Sequence, residues 1–443
     1  MKRRITVIGI ILWSISFLAG PSPAAAQQPP PLSDGDRAAI IDQISDALLE
    51  TYVFPEDAEA MAQRLADQLE SGAYDDAADA GVFCLLLNQD LHSVRRDLHL
   101  HADLAPPRPA EPTDEQRTSE DRQMVEELRH FNYGFRKIEM LEGNVGYLRL
   151  DAFADAGVGG ATAVSAMGFL ANADAIIFDL RFNGGGSPSM IQLISSYLFE
   201  EPTHLNSFYI RKSDTTKQFW TQSHILGERG PEVPVLVLTS GRTFSAAEEF
   251  TYNLKHLERA TIVGETTRGG AHPIQRFQVE GYPITVSLPF GRAINPITGT
   301  NWEGTGIEPH IEVAAEKALD TAHLEALDMI ENRTEDPIRK QQLELTRARV
   351  KVRIDPIELD EAQLQPYVGV YGGYRIAVVD RTLVLFMAED LHVPMIPIGG
   401  DSFLVEGSEG VLVKFYRDEP GEVVAASSHH HGIVERFPRK PTM

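Results

Sequence analysis

One serine in this chain stands where its hydroxyl could act as a nucleophile. Leu238-Thr239-Ser240-Gly241-Arg242-Thr243-Phe244-Ser245-Ala246-Ala247-Glu248-Glu249 reads as the end of a buried strand, a short glycine-containing turn and the start of a helix. A serine at such a corner projects its hydroxyl above the sheet, and nearby backbone N–H groups can face a developing oxyanion. The same residues fit a capping box, with Ser245 as N-cap and Glu248 at N3. From this segment alone both readings stand. A second segment, Asp179-Leu180-Arg181-Phe182-Asn183-Gly184-Gly185-Gly186-Ser187, again runs from a buried strand through glycines toward a helix. Such glycines let the backbone approach a ligand closely and present N–H groups to an anion. A plain left-handed turn is their other use, and the Gly-Lys-Ser/Thr ending of a phosphate-binding loop is missing. One donor from Gly184 or Gly185 and one from Ala246 would make an oxyanion hole.

The surrounding pattern predicts the elements that hold these corners. Val145–Leu150, Ala175–Leu180, Val233–Leu238 and Ala260–Val263 read as strands. Helical stretches lie between them, including Met190–Leu198 and Phe244–Leu257. Strands alternating with helices predict an α/β layer with a largely parallel sheet, whose sites lie where strands end and helices begin. Ahead of it, apolar residues at helical spacing from Ser33 to Asp90 predict three short helices broken at Pro55 and near Gly72. Ala105–Pro112, with four prolines, reads as a linker, and the polar stretch Ser213–Gly230 as an exposed loop or hairpin. From about Tyr367 to Arg439, short alternating runs with Gly and Asp turns predict a separate small β domain.

With both corner segments in view, the chain resembles the tail-specific protease superfamily. That group includes the C-terminal processing peptidases, the tricorn core and interphotoreceptor retinoid-binding protein. The resemblance rests on Asp-x-Arg-x-Asn-x-Gly-Gly from Asp179 and on Thr-Ser-x-x-Thr-x-Ser-Ala-Ala-Glu from Thr239. Ile262–Ala271 and Trp302–Pro309 look similar too, so it covers about Gly143 to Val313. It implies a crotonase-like α/β core and serine-type peptidase activity. Processing peptidases carry a catalytic lysine in a Gly-Lys-Gly after the Gly-Glu-x-Thr segment, but the matching place here is Gly269-Gly270-Ala271. No PDZ-like insertion is evident either. The tricorn-like design uses a histidine base oriented by a distant glutamate. By resemblance, His99 of Asp97-Leu98-His99 becomes the base, and Glu303, just before the Gly-Ile-x-Pro segment, its partner. Taken alone, His99-Leu100-His101 could equally be a metal site or a polar strand face, and His92 and His101 compete for the role. Glu303 alone would be a solvated loop carboxylate. The expected chemistry is peptide-bond hydrolysis through a Ser–His–Glu acyl-enzyme. A non-catalytic carrier of an apolar ligand such as a retinoid or lipid, or a small-molecule esterase or amidase, are the rival uses of the same core.

The whole chain bounds these readings. Lys2-Arg3-Arg4, the apolar run Ile5–Gly20 and Ala24-Ala25-Ala26 predict a signal peptide at 1–26 and a periplasmic or secreted enzyme. The apolar run is short for an uncleaved anchor, so no stable membrane insertion is expected after cleavage. A formal charge of −24 makes nucleic acid and anionic lipid unexpected partners, leaving peptides or proteins as substrates. No metal or cofactor is expected. Cys84, the single cysteine, reads as part of a buried helical face, and His429-His430-His431 as an exposed turn. The expected layout after the signal is a helical domain at 30–104, a linker region at 105–130 and a catalytic core at 131–316. A helical connector at 317–360 and the small β domain at 361–443 complete it. The oligomeric state is left open.

Overall fold

The computed structural model describes residues 32–77, 79–105, 114–388, 391–408, 411–430 and 433–440. The expected signal peptide, most of the proline-rich stretch and His431 lie outside them. Two compact units form: one of residues up to 139 and 146–318, the other of 140–145 and 319–443. Among the described residues no helix is long and apolar enough to cross a membrane.

The first unit opens with α1 (Asp34–Thr51), α2 (Pro55–Glu70) and α3 (Ala80–Val94). Ser33 caps α1 with a full capping box, Pro55 starts α2 at a position where its missing N–H is harmless, and Asp79 caps α3. After β1 (His101–Leu104) comes α4 (Asp114–His130), then β2 (Phe135–Leu141), β3 (Val145–Leu150), α5 (Ala156–Leu170), β4 (Ala175–Asp179) and α6 (Pro188–Ser195). β5 (His204–Ile210) and β6 (Thr215–Trp220) form a hairpin that takes up the first part of the polar stretch. Then follow β7 (Val235–Thr239), α7 (Ala246–His256), β8 (Thr261–Gly264), β9 (Ile274–Gln278), β10 (Ile284–Pro289), β11 (Gly291–Ile294) and β12 (Ile311–Glu312).

A six-stranded sheet in the order β12-β8-β7-β4-β3-β2 is the centre, with β4, β7, β8 and β12 parallel. β4 and β7 are buried at every residue, as strands covered on both faces must be. The register Asp179↔Leu238 puts both ends at the same sheet edge, so the two corner segments emerge side by side. A second core joins α1–α3 to Val279, Ile284, Val286 and Leu288. β1 pairs with β10, so the N-terminal helices close over strands nearly two hundred residues downstream. Cys84 lies in this core, where burial pushes its thiol up to about 12.

On α7, Glu249 is only 3% exposed, and burial pushes its carboxyl up to about 8 from an ordinary 4.5. Between those values the folded chain keeps a proton that the unfolded chain has released, so stability falls as pH rises through that window. Glu249→Gln is expected to flatten this fall, gaining roughly 2 kcal/mol or more at pH 8.5 and little at pH 4. Urea unfolding at both pH values checks it, and equal pH slopes in the two proteins would refute it.

The second unit carries α8 (Ala318–Arg333), α9 (Pro337–Ile354) and α10 (Glu361–Leu364) before eight short strands. These are β13 (Gly369–Tyr371), β14 (Tyr374–Val379), β15 (Thr382–Phe386), β16 (His392–Gly399), β17 (Ser402–Val405), β18 (Leu412–Arg417), β19 (Val423–His430) and β20 (Ile433–Pro438). Each pairs antiparallel with the next, and Tyr371 bridges Arg439 while the Lys440 N–H donates to Val370 O at 2.8 Å. The meander thus closes on itself around Tyr367, Tyr371, Phe403 and Phe415. His429 and His430 were expected in an exposed turn; they instead end β19 and pair with β18 and β20.

Candidate active site

Hydrogen bonds between the two turns build the serine corner. Thr243 Oγ1 donates to Leu180 O at 2.9 Å, Ser240 Oγ to Arg181 O at 2.6 Å, and the Phe244 N–H to Asn183 O at 3.1 Å. Ser245 then sits at φ 55°, ψ −121°, a conformation that favours glycine, before α7 begins at Ala246. Such strain persists only where its surroundings hold it. Glu248 reaches back as a capping-box glutamate would, its Oε2 accepting the Ser245 N–H at 2.9 Å. The Ser245 hydroxyl lies 3.0 Å from His99 Nε2.

His99 is buried and stacks on Phe244 with ring centroids 4.5 Å apart and an interplanar angle of 28°. Its backbone N–H donates to Asp97 Oδ1 at 3.0 Å. Burial pushes the imidazole down to about 3, against the opposing charge of Asp97, so the ring is neutral near pH 7 and Nε2 can accept a proton. The rival histidines point elsewhere. His92 Nε2 lies 2.7 Å from Leu100 O, and His101 bonds His99 O and pairs with Asp103.

Glu303 was expected to orient His99 directly, and here the structure differs. Its Oε2 accepts the Ala271 N–H at 2.6 Å and lies 3.5 Å from His272 Nδ1. Glu303 Oε1 and His99 Nδ1 are both buried with no hydrogen-bond partner among the described residues. The side chain facing Glu303 is His272, which donates from Nδ1 to Asp97 Oδ2 at 2.7 Å; Tyr52 OH donates to the same oxygen at 3.1 Å. Burial pushes Glu303 up to about 7, with His272 opposing and Asp97 adding to the rise. Burial also acts to raise Asp97, but the hydrogen bond from His272, its electrostatic influence and the His99 backbone N–H hold it below the usual carboxylate range.

Neither His272 nor the bridging role of Asp97 emerged from sequence reasoning. The only signal was a polar residue directly after Gly269-Gly270-Ala271, and its partner lies 175 positions away. Asp97, His272 and Glu303 also each offer one ligand atom within 4.8 Å of the others, as ligands of a cation could. The 2.7 Å hydrogen bond between the first two accounts for that closeness without an ion.

Of the expected oxyanion donors, Gly185 is corrected: its N–H donates to Asn183 Oδ1 at 2.8 Å and so holds the turn instead. A Cβ on Gly185 would lie 2.8 Å from Ser245 Cβ and 3.1 Å from Ala246 N, so only glycine lets the two corners touch. No hydrogen bond from Gly184 N–H or Ala246 N–H is found among the described residues. Ala246, as the first residue of α7, has no helical acceptor for its N–H.

Glu248 also ties the helix to the following loop. It accepts Thr267 Oγ1 at 2.5 Å and the N–H groups of Gly269 and Gly270 at 2.6 and 2.9 Å. Burial raises this carboxyl to about 7 while those four donors, Ser245 included, act to lower it.

Comparison with known proteins places this geometry in a family. Residues 144–313 match peptidase family S41, and residues 35–135 match the N-terminal domain of Peptidase S41 in eukaryotic IRBP. Among solved structures, a candidate peptidase from Parabacteroides merdae aligns with a TM-score of 0.45 at 19% identity, over 63% of this chain and 90% of its own. The photosystem II D1 C-terminal processing protease aligns with a TM-score of 0.41 at 13% identity, over 64% of this chain and 94% of its own. The tricorn protease gives 0.40 at 14% identity, over 67% of this chain and 37% of its own. The matched domains enclose the serine corner and the segment that brings a histidine to it, and the chain belongs to peptidase family S41 as a serine-type peptidase.

Proposed function

We propose that this protein is an exported endo- or exopeptidase working through an acyl-enzyme on a crotonase-like core, with Ser245 as nucleophile and His99 as general base. The observation that carries the reading is the 3.0 Å approach of Ser245 Oγ to the Nε2 of a neutral, buried His99. Ser245 Oγ attacks the peptide carbonyl carbon as its proton passes to His99 Nε2. The resulting oxyanion is held by the N–H groups of Ala246 and Gly184. His99 then gives the proton to the leaving amine as the C–N bond breaks, and water, activated by the same imidazole, releases the acyl group. Asp97, two residues from His99, supplies negative charge that favours the imidazolium during each transfer. Glu303 enters this scheme through His272 rather than by direct contact with His99. The basic N-terminal residues and the apolar run after them support export.

A fluorophosphonate probe tests the scheme. The mature protein is expected to take up one equivalent, with peptide mapping placing the adduct on Ser245 and labelling fading below the pH at which His99 becomes protonated. An adduct on any other residue, or no adduct in protein that cleaves peptides, would overturn it.

A further inference from the structure

The segment from Thr267 to His272 touches each part of the site. Thr267, Gly269 and Gly270 bind Glu248, on the helix that Ser245 begins. Gly270 O accepts from Trp302 Nε1 at 2.8 Å, and the Ala271 N–H holds Glu303 at 2.6 Å. Gly270 also lies against the rings of His99 and Phe244. His272 ends the segment, buried between two carboxylates, with Nδ1 at 2.7 Å from Asp97 Oδ2 and 3.5 Å from Glu303 Oε2. Phe54 packs edge-on against its ring, centroids 5.5 Å apart.

Two carboxylates this close repel when both are ionised, and a donor between them offsets that repulsion. His272 is that donor. Asp97 uses its other oxygen to hold the His99 backbone, so the path from His272 to the base is two hydrogen bonds long. Building on the Ser245–His99 reading above, we propose that His272 is a positioning residue of the peptidase reaction: it fixes Asp97 behind His99 and keeps Glu303 at the site. Among the described residues no hydrogen bond joins it to the Ser245 hydroxyl or the His99 ring, so it acts on the height of the barrier rather than on substrate binding. The titratable and charged groups around it are Asp97, His99 and Tyr52 from the N-terminal segments, Glu303 from the following loop, and Arg95.

Two variants separate the hydrogen bond from the ring. His272→Phe keeps a buried ring and removes the donor, whereas His272→Asn restores a donor close to the position of Nδ1. The Phe variant is expected to lose roughly 10²-fold in kcat with KM within about threefold, as misplacement of catalytic groups does. The acid limb of its kcat/KM profile should also move. The Asn variant is expected to return to within about fivefold of wild-type kcat. A Phe variant with kcat within about threefold and an unmoved pH profile overturns the proposal. So does an Asn variant no better than Phe. Should His272→Phe fail to fold, His272→Ala and Asp97→Asn are combined: the double variant is expected to lose no more than the worse single one, and additive losses overturn the proposal. The fluorophosphonate adduct keeps the two readings apart. Wild-type labelling away from Ser245 sinks the nucleophile assignment, whereas a wild-type labelling rate at Ser245 in His272→Phe sinks only the positioning role.

Discussion

Ser245→Ala is expected to reduce kcat on a peptide substrate by roughly 10⁴- to 10⁶-fold while leaving KM within a few-fold. The substitution removes the one atom that forms the acyl bond and leaves His99, Asp97 and the Ala246 N–H in place. Residual turnover, set by the oxyanion donors and substrate binding, should remain above the uncatalysed rate. Steady-state kinetics and probe labelling check the loss together; labelling or turnover within about tenfold of wild type would remove Ser245 from the mechanism. Stability separates this from a folding defect. At φ 55°, ψ −121° any residue with a Cβ is strained, so the alanine protein should keep the wild-type strain. Ser245→Gly should be just as inactive yet more stable than Ser245→Ala, by about 1 kcal/mol in urea unfolding. An inactive glycine variant that is more stable than the alanine one would show that the corner holds Ser245 in place for chemistry, at the expense of the fold.

Gly270→Ala is expected to be the most damaging single-methyl change in the site. A Cβ there would come within 2.3 and 2.4 Å of the Phe244 ring and 2.8 Å of His99 Cε1. Backbone N–H groups to Glu248 hold the Gly269–Gly270 turn, so the methyl cannot move aside by shifting the loop alone. Phe244 is buried and carries the His99 stack, and any displacement of its ring turns the imidazole away from Ser245 Oγ. Overpacking of this kind destabilises by about 1–3 kcal/mol. Displacing the base by even 1 Å lowers kcat by roughly 10²-fold. Thermal unfolding and kcat measured on the same preparation test the prediction, and a variant with wild-type kcat would show that the Phe244–His99 stack tolerates far more than its distances allow. The same contacts leave no room for a side chain at 270 beside the Phe244 and His99 rings.

Much of this site was legible in the residues themselves. The two strand-to-helix corners, the glycines between them and the serine at the second corner follow from local pattern, because burial at every strand position and turn residues are properties of short segments. The capping glutamate was legible too, although its burial and its hold on residues 267 to 270 were not. Sequence could propose His99 only through resemblance, since its alternation with His101 fits several uses equally well. The structure sets His92 and His101 against backbone carbonyls and leaves His99 facing the hydroxyl.

What sequence alone determined is the local pattern: which corners could offer a nucleophile and backbone donors, and which elements must carry them. Tertiary structure decided their pairing. Closing the N-terminal helices onto β9 and β10 carries Asp97 and His99 to a loop 175 residues downstream, and there Asp97 meets His272 rather than Glu303 meeting His99. No local period or spacing encodes such a contact. It follows from burying two apolar faces against each other, and the polar groups at their edge must then find whichever partners that packing places within hydrogen-bond reach.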